Sequence, residues 1–222
     1  MSLERIHLRK LLQMLHARRA KQISLLREDI RATIKKEAGY ETSGGGDFFV
    51  SFWADAKNHV QGTSDLEAQT DIRIASLKGR RRLYEMLRDG FLKWWNEKRR
   101  WRNELFTYIP QSIKARFALN GTQTQIKVEN LLSVQIGSDT RRLVYPYFCE
   151  EPELTPEAAR LGLWAMSQAL PNYPVEDMRI LDVLRATSFG TLDVPLQGNE
   201  EELLSARTQQ LQSEWDRLRN EY

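Results

Sequence analysis

The residues of this chain that could do chemistry are mostly of one kind: cations set among aromatic rings. Between Thr70 and Asn103 stand Arg73, Lys78, Arg80, Arg81, Arg82, Arg88, Lys93, Lys98, Arg99, Arg100 and Arg102, against only Asp71, Glu85, Asp89 and Glu97. Cations at that density contact phosphates by displacing condensed counterions, and a tryptophan beside them stacks on a base. The candidates for such contact are Arg81, Arg82, Arg88, Lys93, Arg99, Arg100 and Trp101. The same pattern also fits a helix whose rings are core and whose cations are solvated or paired with carboxylates.

Enzyme chemistry has less to stand on. His7, His16 and His59 lie at no metal-ligand spacing, and Cys149 has no neighbouring His or Cys. Cys149 closes an apolar run and reads as a small core residue. No serine sits in a nucleophile-elbow motif. Three glycines, Gly44 to Gly46, precede Asp47, but the Lys-Ser/Thr of a phosphate-binding loop is missing, so they read as a connector. The sequence therefore leans away from an enzyme, with no cofactor and no metal expected. Glu129, Asp139, Glu150, Glu151 and Asp182 either converge on one site or are solvated groups at strand ends and loops.

The elements that must position these groups follow from periodicity. At about 100° per residue, Leu77, Tyr84, Leu87, Phe91, Trp94 and Trp95 share one arc, which predicts a single amphipathic helix through the basic aromatic stretch. Arg81, Arg88 and Arg99 border that arc, and Arg82, Lys93 and Arg100 form a second basic row. Gly79 and Gly90 are the places where such a helix would bend or break. Trp101 falls off the arc, so it either packs under another element or is exposed for binding. Upstream, Leu8, Leu12, Leu15, Ile23, Leu26, Ile30 and Ile34 predict one long first helix, with its seam interrupted at Arg18 and Arg19. A further helix runs from a cap at Asp47 to Gly62, and Thr63-Ser64-Asp65 caps the next.

After Asn103 the pattern becomes β-like. Ile126, Val128, Leu132, Val134 and Ile136 alternate, Gly137-Ser138-Asp139 turns, and residues 143–148 return as a strand. Thr155-Pro156-Glu157 starts a helix that Pro171 ends. Two more strands are expected at 179–186 and 190–196, and Asn199 caps a last helix with Glu200 to Glu202 at its positive end.

The fold class is therefore α+β: a helical half over 1–105 with a glycine-rich connector, then an α/β module over 106–222. The order of helix, hairpin, helix and returning strand resembles that of restriction-endonuclease-like nucleases. Those enzymes hold a divalent metal with an acid on one strand and an acid-x-Lys pair on the next. Here residues 141–148 carry neither, so the resemblance implies a catalytically silent core.

The formal charge is only +3, from 33 basic and 30 acidic side chains, but it is unevenly spread. The first half is basic, and acidic runs lie at 150–153 and 200–202. DNA or RNA is one partner class this permits. A protein partner or a second copy, docked on the long first helix, is the other. The expected function is a non-catalytic nucleic-acid-associated protein acting within a complex; the alternative is a scaffold or homo-oligomeric accessory subunit that binds no nucleic acid. A single cysteine, no apolar leader and no long apolar run point to the cytoplasm and away from a membrane.

Overall fold

The computed structural model describes residues 3–40, 48–76, 81–101, 103–138 and 140–222. The cap expected at Asp47, the arc residue Leu77 and the carboxylate Asp139 lie outside them.

Two mixed sheets organise these residues. The larger has strands β2 (Phe106–Tyr108), β5 (Leu132–Ile136), β6 (Thr140–Tyr147), β7 (Met178–Asp182) and β8 (Thr187–Phe189), in that spatial order. β5 and β6 form the hairpin expected around Gly137, with Leu132 opposite Val144 and Ile136 opposite Thr140. From β6 the chain crosses through α6 (Pro156–Ala169) into β7, which runs parallel to β6. Thr155 caps α6 by accepting the Ala158 N–H at 3.2 Å, with Pro156 at the first helical position.

Because strand side chains alternate between faces, β6 serves two cores. Leu143, Tyr145 and Tyr147 enter one with α1 (Leu8–His16), α6 and α7 (Glu200–Arg219); Val144 and Phe148 enter the other, with α3 (Phe48–Gln61) and α5 (Arg81–Lys93). The result is a sheet with helices on both faces, the arrangement that hides a strand apolar on both sides.

The smaller sheet has the order β1 (Arg5–His7), β4 (Gln125–Glu129), β3 (Lys114–Ala118), with β1 parallel and β3 antiparallel to β4. Its inner face, with Ile6, Ile126 and Val128, is buried in the first core; its outer face meets solvent. β4 runs into β5 through Asn130 and Leu131, so one long chain path feeds both sheets.

Four expectations change here. The long first helix is a strand and two helices, α1 and α2 (Arg19–Glu37), broken at Ala17 and Arg18 where the apolar seam lapses. The basic aromatic segment is no single rod, because α4 (Leu66–Ser76) and α5 pack against each other; Gly79, where a break is expected, lies outside the described residues. The strand expected at 190–196 lies earlier, at β8, and Asp193 instead folds back to accept the Gly190 N–H at 2.9 Å. Asn199 does not cap α7 with its side chain, because its Oδ1 accepts from Arg160 at 2.9 Å. As for the division drawn at residue 105, β1 pairs with β4 and α2 packs on α7 across it.

Candidate nucleic-acid interface

The aromatic arc of α5 is where periodicity puts it. Tyr84, Leu87, Phe91, Trp94 and Trp95 are all buried, facing β5, β6 and β7. Gly90 does not bend the helix. It lets α5 rest directly on the turn after β7, where an added Cβ would lie 2.0 Å from the Val183 carbonyl oxygen.

Trp94–Lys98 forms a π-helical turn, closed by the Arg99 N–H on the Trp94 carbonyl at 2.9 Å. This turn carries Trp101 inward. Trp101 is only 5% exposed and meets the rings of Trp95 and Phe106 edge-on, at centroid distances of 5.4 and 5.8 Å. It offers no face to a base. Arg99 closes the same cluster, with its guanidinium carbon 3.8 Å from the Trp95 centroid and 5.1 Å from that of Trp101. Its Nε and Nη1 are buried without a hydrogen-bond partner, and burial lowers its pKa. Cation–π attraction holds this arginine against the rings.

Among the described residues, four cations of this segment meet the chain's own acids. Arg81 donates to Glu85 at 2.8 Å and Arg88 to Asp89 at 2.8 Å. Arg82 pairs with Glu150 beyond the end of β6, and Arg100 with Asp193. Lys93, at the end of α5, is exposed. Exposed pairs of this kind contribute little to stability, about 0–1 kcal/mol each, yet they cancel the local potential that would draw a polyanion. The row proposed from sequence is therefore close to charge balance, with Arg99 packed half-buried on the aromatic cluster and Trp101 in the core.

Among the described residues, the carboxylate candidates Glu129, Glu150, Glu151 and Asp182 do not meet as a set. Glu150 is held by Arg82, and Asp182 is buried, accepting the Leu154 N–H at 3.1 Å and pairing with Arg185. Burial outweighs these partners and raises the Asp182 pKa. Among the described residues, no three or more His, Cys, Asp and Glu side chains come together as a metal would require. Cys149 is 7% exposed, and burial pushes its thiol up to about 11, far from a reactive thiolate.

The three histidines have unrelated roles. His59 Nδ1 accepts the Leu66 N–H at the start of α4 at 3.3 Å, and His7 lies on the outer face of the smaller sheet. His16 is buried at the end of α1, its Nε2 without a partner and its Nδ1 4.0 Å from Glu157. Desolvation, then Arg207, lower its pKa below 6.5, against a smaller opposing pull from Glu157. Above pH 6.5 the ring is neutral folded or unfolded, so it adds no pH dependence there. Below that value the unfolded chain takes the proton first, and stability falls as pH falls. A His16→Gln variant is expected to show a flatter loss of melting temperature between about pH 6.5 and 5, the difference being at most about 1.4 kcal/mol per pH unit. Thermal melts across that range check this.

Cations without a carboxylate partner gather elsewhere. Arg5 on β1, Lys114 and Arg116 on β3 and Lys127 on β4 form no ion pair among the described residues. Local sequence hides them, because each is the polar half of an ordinary strand alternation. Only the pairing of β1, β4 and β3 places them on one face.

No family model matches the chain, and neither the curated proteins nor the solved structures provide a match. Among the described residues no helix is long and apolar enough to cross a membrane.

Proposed function

We propose that this chain is a non-catalytic nucleic-acid-associated binding protein. The cations that serve it are those the fold leaves without an internal carboxylate, rather than the α5 row. The observation that carries this reading is the outer face of the smaller sheet, where Arg5, Lys114, Arg116 and Lys127 stand with Glu129 as the lone acid. A surface patch with four cations to one acid attracts a polyanion at long range.

The element order offers secondary support by analogy alone, since a fold does not confer a function. β5, β6, α6 and β7 follow the hairpin, helix and returning-strand order of restriction-endonuclease-like nucleases, while Leu143, Tyr145 and Tyr147 fill one side of β6 where a metal-holding acid would be needed. That combination favours binding without cleavage. The scaffold reading loses its motive, because the first helices spend Leu8, Leu11, Leu12, Leu26 and Ile30 on the chain's own core.

A mobility-shift series at low salt with duplex DNA, single-stranded DNA and RNA tests the proposal. A retarded complex with no cleavage in Mg²⁺ is the expected result. No shift with any of the three, or strand scission, would overturn it.

A further inference from the structure

We infer that the cross-strand pair Lys127–Arg116 is the phosphate-gripping element, and that its ligand is the backbone of a nucleic-acid duplex. This rests on the nucleic-acid reading above and locates its contacts. In register, Arg116 lies directly opposite Lys127, and His7 pairs with Lys127 from the other side. Directly opposed residues share a face with their Cβ atoms about 5 Å apart, and like charges so placed destabilise a sheet. The chain therefore carries a repulsion in the free state that a bridging phosphate relieves.

Protection of sheet edges is the competing explanation, since Lys and Arg on edge strands deter strand-to-strand aggregation. It accounts for Arg5 on β1 and for Lys114 and Arg116 on β3, both edge strands. It does not account for Lys127, which lies on the central strand β4 between them. The one acid on this face, Glu129, pairs in register with Lys114 and leaves Arg116 and Lys127 opposite each other.

The chemistry of the face selects the ligand. Its other members are His7, Ala118 and Gln125, with no large apolar anchor of the kind that protein interfaces are built around. Same-face side chains recur about every 7 Å along a strand. A duplex, with one charge per about 1.7 Å of axis, supplies a phosphate within reach of each cation. Binding is then indifferent to sequence and weaker for single strands, which offer lower charge density.

The test uses the full chain and fluorescence anisotropy with a labelled duplex, comparing wild type, K127E, R116E and the α5 control pair R81E/R82E. Each sheet variant turns the like-charge pair into an opposite-charge one, so its melting temperature is expected to hold or rise while duplex affinity falls about tenfold or more and the salt slope shrinks by about one or two. The control is expected to bind within about twofold of wild type. Sheet variants that bind like wild type while wild type binds well would overturn this inference and leave the nucleic-acid reading standing. Absence of binding by wild type would overturn both. Displacement of the duplex by polyglutamate at equal charge would also overturn it, assigning the face to an acidic protein. Single strands binding as tightly as the duplex would overturn the choice of ligand.

Discussion

Replacing Gly90 by alanine is expected to destabilise the protein by loosening the α5 side from the sheet. On helix propensity alone the change should stabilise, by about 1 kcal/mol. Packing reverses the sign. The new Cβ would lie 2.0 Å from the Val183 carbonyl oxygen and 3.0 Å from that of Leu184, both backbone atoms of the turn between β7 and β8. No rotamer can relieve a backbone clash, so α5 must lift from the sheet and draw Phe91, Trp94 and Trp95 with it. Overpacking typically costs about 1–3 kcal/mol where side chains can yield, and a loss of about 3 kcal/mol or more is expected here. For a chain of this size that is a fall in melting temperature of roughly 6–12 °C. Met86→Ala, on the same helix but exposed, serves as the control and should change stability by no more than about 0.5 kcal/mol. A melting temperature of Gly90→Ala equal to wild type would contradict the described seating of α5.

The second large effect is expected at Arg160 on α6. Its side chain is 8% exposed and pairs with Glu200, itself 2% exposed, at the start of α7. Glu200 also accepts the N–H groups of Gln197 at 2.7 Å and Gly198 at 3.0 Å, so this carboxylate ties α6 to the loop before α7. Desolvation pushes the Glu200 carboxyl up, but those hydrogen bonds and Arg160 together outweigh it and hold the pKa below its usual value. Removing the cation alone, as Arg160→Met, leaves a buried charge half-compensated and should cost about 3–5 kcal/mol. Arg160→Met with Glu200→Gln should recover more than half of that, because no charge is then left buried. The sign with pH follows from linkage. A carboxyl held low in the folded state stabilises above its unfolded pKa and loses that contribution as pH falls. The deficit of Arg160→Met is therefore expected to narrow towards pH 4, about where an unperturbed glutamate titrates. Chemical denaturation of the four members of this cycle at two pH values measures both effects. Equal losses in the single and double variants would contradict the account.

Local pattern and tertiary placement divided the legible from the hidden. The buried arc of α5 was readable because five apolar positions repeat at helical spacing and the helix does follow that spacing through Lys93. The start of α6 was readable because Thr155 and Pro156 act within one turn. The same projection leaves Trp101 open between packing and exposure: a π-helical turn changes the phase after Trp94, the chain leaves helical geometry at Arg99, and Trp101 packs inward. The break between α1 and α2 did leave a trace in the lapse of apolar residues at Arg18. β1 left none, since three residues pairing in parallel with a strand over a hundred positions away have no local signature.

The candidate site failed for a related reason. Arg82 meets Glu150 and Arg100 meets Asp193, carboxylates 68 and 93 residues distant. A charge count confined to residues 70–103 cannot include them. Conversely, Lys114, Arg116 and Lys127 look unremarkable one strand at a time and become a patch only in register.

The central claim is most directly tested by the salt dependence of duplex binding by the full chain. Three to four cations in contact with phosphates predict that affinity falls about 40- to 150-fold between about 50 and 200 mM salt, a log–log slope near −3. A duplex affinity that is absent at the lower salt, or that does not change across this range, would contradict the account.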